Sequence, residues 1–305
     1  MSATRKSILS SLRPLIWVSK LYGCLPFTFQ ESDDKTVKVK KFSIGIIHGM
    51  ILVLSSTLYR IIINIFYQDQ LLVGPIFVSS ALLGSVSSLI SYISYSCYSK
   101  NIQNIFEELF EFSKLIKKNK FFNKVFWLTF GEILLAEFMC VGYYVLYYFT
   151  YPETFFLLEM IMEHYYRFVI TLFHFQFANS LFLIFFVFNA INEEVTEKCK
   201  SNTMLELSFK KFDLNLKDLS NVMKLHGKAC DLCEILNTCF GTILAFASIC
   251  MMLQVVLSCY VIVNNEITMI MFLFWFCSYV IEEWYVLYAC EKVVQEVRGF
   301  EMKKF

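Results

Sequence analysis

The chain has 305 residues, of which 57% are hydrophobic, 18% aromatic and 17% charged. Soluble domains carry about 25% charged residues, so an ordinary soluble enzyme or binding module is excluded and a polytopic membrane protein is indicated. The net charge of +1 names no partner; the placement of the charges along the chain is the informative quantity.

The N-terminal stretch MSATRKSILSSLRPLIWVSKLYG is not a secretory signal peptide. Arg13, Pro14 and Lys20 interrupt any apolar core, and no small-residue cleavage site follows. Residues 1–41 are expected to form a cytoplasmic, helical N-terminal segment, with the first true span acting as its own signal. Crossing about 30 Å of hydrocarbon takes roughly 20 helical residues. Six apolar segments meet that length: about 42–67, 71–98, 125–149, 160–192, 239–263 and 268–290. They are expected to be helices, because a strand edge or loop facing lipid leaves its backbone groups unsatisfied. No linker, low-complexity run or internal repeat divides the chain, so residues 1–305 read as a single all-α membrane domain, a polytopic helix bundle.

Lys and Arg set the orientation. Residues 1–41 hold 8 of them, 99–124 hold 6, 193–238 hold 7 and the tail 291–305 holds 4, out of 27 in all. The connections QDQ, TYPETFFLLE and NNEI hold none. The N-terminus and the tail 291–305 are therefore expected on the cytoplasmic side. The two remaining basic residues, Arg60 and Arg167, are expected near the outer ends of spans one and four.

The long connections are patterned. Ile102, Ile105, Phe106, Leu109, Phe112 and Ile116 recur at helical spacing among charges. The fourth segment, 33 residues long, would extend about 50 Å as a helix and overshoot the bilayer. Val222, Leu225, Ala229, Leu232 and Leu236 follow three-four spacing into span five. The spans thus extend into a cytoplasmic helical bundle. Two readings of the 222–236 stripe stand: packing within one subunit, or an oligomer interface.

Polar groups inside spans are costly, about 2.5–3.5 kcal/mol each at mid-bilayer on insertion scales. They are Arg60, Glu132, Glu137, Glu163, His164, Arg167, His174, Gln176, Asn179, Glu282 and Glu283. Arg60, Glu163, His164 and Arg167 are placed in the outer third, beside Tyr143, Tyr144, Tyr147, Tyr165 and Tyr166. Polar groups among aromatics make a candidate ligand pocket, with Arg60, Tyr143, Tyr147, Glu163, His164 and Arg167 as its residues; interfacial snorkelling is the alternative. Glu282 and Glu283 lie toward the inner end of span six and point about 100° apart. They either pair with cytoplasmic Lys or face a neighbouring helix that moves, which makes them candidates for gating.

Eleven cysteines carry no chemistry by position. None falls in an outer connection, so an extracellular disulfide is not expected. The pair Cys230–Cys233 is a lone CxxC without a second pair, a weak zinc signal. No catalytic motif is present, no metal or cofactor is expected, and the chain is not read as an enzyme.

Three stretches resemble insect gustatory receptors, which belong to the seven-transmembrane insect chemoreceptors. SLRPLIWVSKLYGCLPFTF, with Leu12, Arg13, Pro14, Trp17, Gly23, Pro26 and Phe27, is similar to the segment preceding the family's first span. VMKLHGKACDLCEILNTCFGTILAFAS (222–248) resembles its stretch entering span five, and YACEKVVQEV its helix after span six. The resemblance implies a seven-span receptor with a cytoplasmic N-terminus. It also implies a plasma-membrane location in a chemosensory neuron and a tetrameric ligand-gated cation channel, as homomer or heteromer. A small tastant is expected to bind in the outer half of the bundle, with no nucleic acid as partner. The cytoplasmic helices would anchor the subunits, and a seventh helix with a Thr-Tyr … Gln-Phe motif would line the pore. That motif is missing here, and the tail therefore reads as an interior loop of a longer protein. An odorant receptor, a six-span transporter and a non-conducting regulatory subunit are the competing readings.

Overall fold

A computed structural model describes residues 8–25, 27–31, 37–41, 43–66, 74–112, 119–150, 157–203, 209–262 and 266–303. Its elements in chain order are α1 (Ile8–Ser11), α2 (Arg13–Leu21), β1 (Phe27–Glu31), β2 (Val37–Lys41), α3 (Ser43–Phe66) and α4 (Gly74–Cys97). They continue with α5 (Ser99–Phe112), α6 (Asn119–Thr150), α7 (Leu157–Thr203), α8 (Phe209–Ile262) and α9 (Glu266–Lys303).

Each of the six apolar segments falls on one long helix. Three described stretches, Lys124–Leu146, His164–Glu193 and Ser220–Leu253, are long and apolar enough to cross a membrane on their own, and Ile47–Tyr59 and Leu82–Cys97 are shorter apolar helices. The fold is thus a helical bundle with membrane-crossing helices.

The all-α expectation needs one correction. β1 and β2 pair antiparallel, with Phe27 opposite Lys41 and Phe29 opposite Val39. The reason lies in the local sequence. Phe27, Thr28 and Phe29 lie opposite Lys41, Lys40 and Val39, and both FTF and VKV alternate apolar and polar residues with period two, the pattern of a half-buried strand. One face of the hairpin is apolar: Phe27 and Val39 are fully buried, and Phe29 packs edge-on against Phe106 and Phe110 of α5, both at 5.6 Å. Gln103 of α5 donates to the Val39 carbonyl at 2.8 Å. The amphipathic stripe expected on 102–116 is the α5 face that receives the hairpin; Ile102, Ile105, Phe106, Leu109 and Phe112 are buried, and Ile116 lies outside the described residues.

α7 is the central pillar. Its 47 residues extend about 70 Å at 1.5 Å per residue, and nearly all of 164–193 is buried. Neighbouring side chains give its direction against each partner. Tyr166 meets Gly84, and Phe173 meets Tyr92 and Tyr95, so α4 runs parallel to it. Ser278 faces Arg167, and Tyr285 and Tyr288 face Phe182, so α9 is also parallel. Glu137 meets His164 while Glu132 meets Asn179, which makes α6 antiparallel. Phe240 meets Phe177 and His226 meets Phe188, so α8 is antiparallel too.

The N-terminal segment is tucked into this bundle. α2 packs against α6 and α7 and ends in a turn at Gly23, whose φ of 73° belongs to the left-handed region that glycine adopts without penalty. Tyr92 of α4 donates its hydroxyl to the Gly23 carbonyl. Gly49 of α3 closes the same contact, for a Cβ on Gly23 would come within 2.6 Å of the Gly49 Cα, and one on Gly49 within 1.9 Å of the Tyr92 hydroxyl. Gln176 of α7 ties down the other side, donating to Ser19 Oγ at 3.1 Å and to the Cys24 carbonyl at 3.3 Å.

Candidate functional site

Polar residues gather on the buried length of α7, where a helix surrounded by other helices cannot turn its polar side chains to solvent. Each must find a partner on a neighbouring helix. Two clusters result, one on the α6 side and one on the α9 side.

The first surrounds His164. Its Nε2 lies 3.1 Å from the Tyr22 hydroxyl and 3.6 Å from a carboxylate oxygen of Glu137. Its ring stacks on Phe168 at 5.5 Å and meets Tyr144 edge-on at 6.0 Å; Tyr143 lies edge-on to Tyr144 at 5.2 Å. Tyr165 donates to the Tyr22 carbonyl at 3.1 Å. The N-terminal segment thus supplies Tyr22 to a cluster otherwise made by α6 and α7. Spacing alone could not reveal this, because 142 residues separate Tyr22 from His164.

The second joins α7 to α9. Arg167 is 4% exposed; it donates to Ser278 Oγ and lies over the Tyr279 ring, 5.1 Å from its centroid, a cation–π arrangement. One turn further on, Thr171 donates to Glu282 Oε1 at 2.9 Å, and His174 Nδ1 lies 3.5 Å from Glu282 Oε2. Glu282 is itself 5% exposed. Beyond it, Asn179 donates to Glu132 Oε2 at 2.9 Å and accepts from Thr129 at 3.0 Å, which carries the polar line across to α6.

Of the six candidate pocket residues, Tyr143, His164 and Arg167 are described, and Tyr144 stands between the last two. Its ring meets His164 edge-on. Arg60, Tyr147 and Glu163 lie outside the described side chains. Arg167 faces Ser278 and Tyr279, the middle of 268–290, and His164 faces Glu137, the middle of 125–149. These groups therefore lie level with the middle of those two apolar runs. A 33-residue apolar run contains several windows long enough to span, and its composition does not say which one lies level with the other helices.

Glu282 and Glu283 diverge as their 100° offset requires. Glu282 turns to α7, while Glu283 accepts from Ser248 of α8 at 2.8 Å. Among the described residues, both therefore meet neighbouring helices. The 222–236 stripe turns inward as well. Val222, Ala229, Leu232 and Leu236 are buried in this chain's own core, and Leu225 packs against it. Within the single chain these side chains pack into its own core.

Apolar helices around a buried, aromatic-lined cluster of charged groups make a helical membrane receptor, in which polar side chains are held ready between elements. The sequence model of the 7tm chemosensory receptors matches residues 12–302, nearly the whole chain, and the protein belongs to that family. It is a family of membrane-embedded receptors for small molecules, not of enzymes. No curated protein matches the chain.

Proposed function

We propose that the chain is a gustatory receptor subunit of the ligand-gated cation-channel type, located in the plasma membrane of a chemosensory neuron and assembled as a homo- or heterotetramer. A small tastant binds in the outer half of the bundle, with Arg60, Tyr143, Tyr147 and Glu163 on the wall and His164 and Arg167 at the floor. The observation that carries this reading is the direct connection from Arg167 to α9. A ligand that draws on the Arg167 guanidinium competes with Ser278 and Tyr279 for it. It thereby shifts α9 relative to α7 at the Thr171–Glu282–His174 contact, one turn away. A ligand moves a conformational equilibrium only through such differential contacts. Glu282 and Glu283 then act as the gating pair, because one holds α9 to α7 and the other holds it to α8. The similarity of 12–27 and 222–248 to gustatory receptors favours a tastant over an odorant.

The test is whole-cell recording from cells co-expressing the chain with a seven-span chemosensory receptor subunit that supplies the pore helix, against cells expressing that subunit alone, challenged with separate panels of sugars, bitter compounds and volatile odorants. A cation current evoked by a tastant, with its half-maximal concentration raised at least tenfold in Arg167→Gln, is the expected result. A response confined to volatiles identifies an odorant receptor. Silence toward every panel, with the chain at the cell surface, favours the transporter or regulatory readings. Unchanged tastant responses in both Arg60→Gln and Arg167→Gln remove these arginines from the pocket.

A further inference from the structure

A cavity opens between α6, α7 and α9, with Ser278 in its wall. Its volume is about 320 Å³, within the range of small-molecule sites. The walls are apolar and aromatic, with Phe175 at the back and Leu135, Ala136, Met139 and Ile281 along the sides. Its mouth faces sideways: Trp127 and Trp284, on opposite lips, are 66% and 62% exposed. The position of Gly131 in the wall leaves the space open, for a Cβ there would meet nothing within 4 Å.

The polar groups in this wall lean to one sign. Glu132 and Glu282 both line the cavity, together with Ser278 and Tyr285. Glu132 Oε1 has no hydrogen-bond partner, its other oxygen being taken by Asn179. Glu282 Oε2 has none either, its nearest polar neighbour being His174 Nδ1 at 3.5 Å. The Tyr285 hydroxyl stands beside Glu132. Arg167 stands against Glu282 from behind Ser278, and among the described residues no cation stands against Glu132. Buried carboxylate oxygens with free acceptor capacity are costly to leave unmet. A positively charged donor would meet them with the strongest hydrogen bonds, and aromatic faces around it would add cation–π attraction.

We propose that this cavity is a binding site for a small organic amine with an aromatic or aliphatic body, which enters from the side between Trp127 and Trp284. The ammonium group donates to Glu132 Oε1 and Glu282 Oε2, and the apolar body lies against Phe175, Met139 and Trp284. The inference does not depend on the taste reading, because it rests on the cavity, its two carboxylates and its sideways mouth.

The experiment uses the full chain in phosphatidylcholine nanodiscs, with tritiated 2-phenylethylamine as the probe. Unlabelled 2-phenylethylamine is compared as competitor with 2-phenylethanol, which has the same body and no charge. The amine is expected to compete at least tenfold more strongly than the alcohol. Gly131→Leu, which fills the open space from the wall, and Glu282→Gln should each weaken probe binding at least tenfold. Equal competition by amine and alcohol, absence of saturable binding, or wild-type affinity in Gly131→Leu overturns the proposal. Should Glu282→Gln fail to fold, the competition and Gly131→Leu results still decide the matter.

Discussion

Cys24 illustrates what burial does to a single side chain. It is fully buried in the N-terminal turn, and burial alone pushes its thiol well above the ordinary value of 9.0. The thiolate is the reactive form, so Cys24 should resist maleimide in the folded protein at pH 8, while exposed Cys97 is labelled. Peptide mapping after labelling checks this. The folded state also holds the Cys24 proton more tightly than the unfolded chain does. Its contribution to stability is therefore complete below about pH 9 and lost progressively as pH rises above it. Glycines give a sharper contrast. Gly23→Ala meets both the left-handed φ and the Gly49 backbone; the conformational part alone costs about 1–2 kcal/mol. Gly227 sits in a helix with open space around it, so Gly227→Ala should be neutral or stabilising by up to about 1 kcal/mol. Thermal unfolding of the purified variants separates the two.

Elements are held together here by a few polar ties in a large apolar contact. At the far end of the α7–α9 pair, Asn192 Nδ2 donates to the Glu296 carboxylate at 2.7 Å and to its backbone carbonyl at 3.3 Å. Removing a donor to a charged acceptor costs about 1.5–3 kcal/mol where the site is dry. Asn192→Ala should therefore speed amide hydrogen exchange in 291–303 and leave the Arg167–Ser278 end of the same pair protected. Uniform exchange along all of α9 would mean that the helix opens as one unit. The hairpin belongs to this scale too. The alternation of Phe27, Phe29, Val37 and Val39 has the period of a strand although 1–41 is expected to be helical; a two-stranded ribbon is marginal alone in water, and α5 together with Tyr95 of α4 gives its apolar face something to cover.

At the scale of the whole molecule, the proposed tetramer must be held by surfaces the chain leaves uncovered. Leu232 is 1% exposed, whereas Met223 and Ile235 on the same helix are 43% and 38% exposed. Cysteines placed at Met223 and Ile235 should cross-link between copies, and one at Leu232 should not. Cross-linking through Leu232 would mean that α8 turns over on assembly. Trp127 and Trp284 are exposed in the single chain as well, so a neighbouring subunit or lipid sets access to the cavity between them.

Composition, the length of the apolar runs and the distribution of Lys and Arg determined by themselves that this is a helical membrane protein, because lipid allows few ways to satisfy a backbone. Local motifs at 12–27, 222–248 and 288–297 carried the likeness to chemosensory receptors. Helical spacing also told that 102–112 and 222–236 bury a stripe. Only the tertiary structure decided what each stripe buries against, since periodicity specifies a face and not its partner. The same limit held for depth and pairing: His164 and Arg167 are three residues apart, yet one meets Tyr22 and Glu137 while the other meets Ser278 and Tyr279. Those partners come from helices far apart in sequence, and the packing of α7 against all of them at once fixes which side chains can touch.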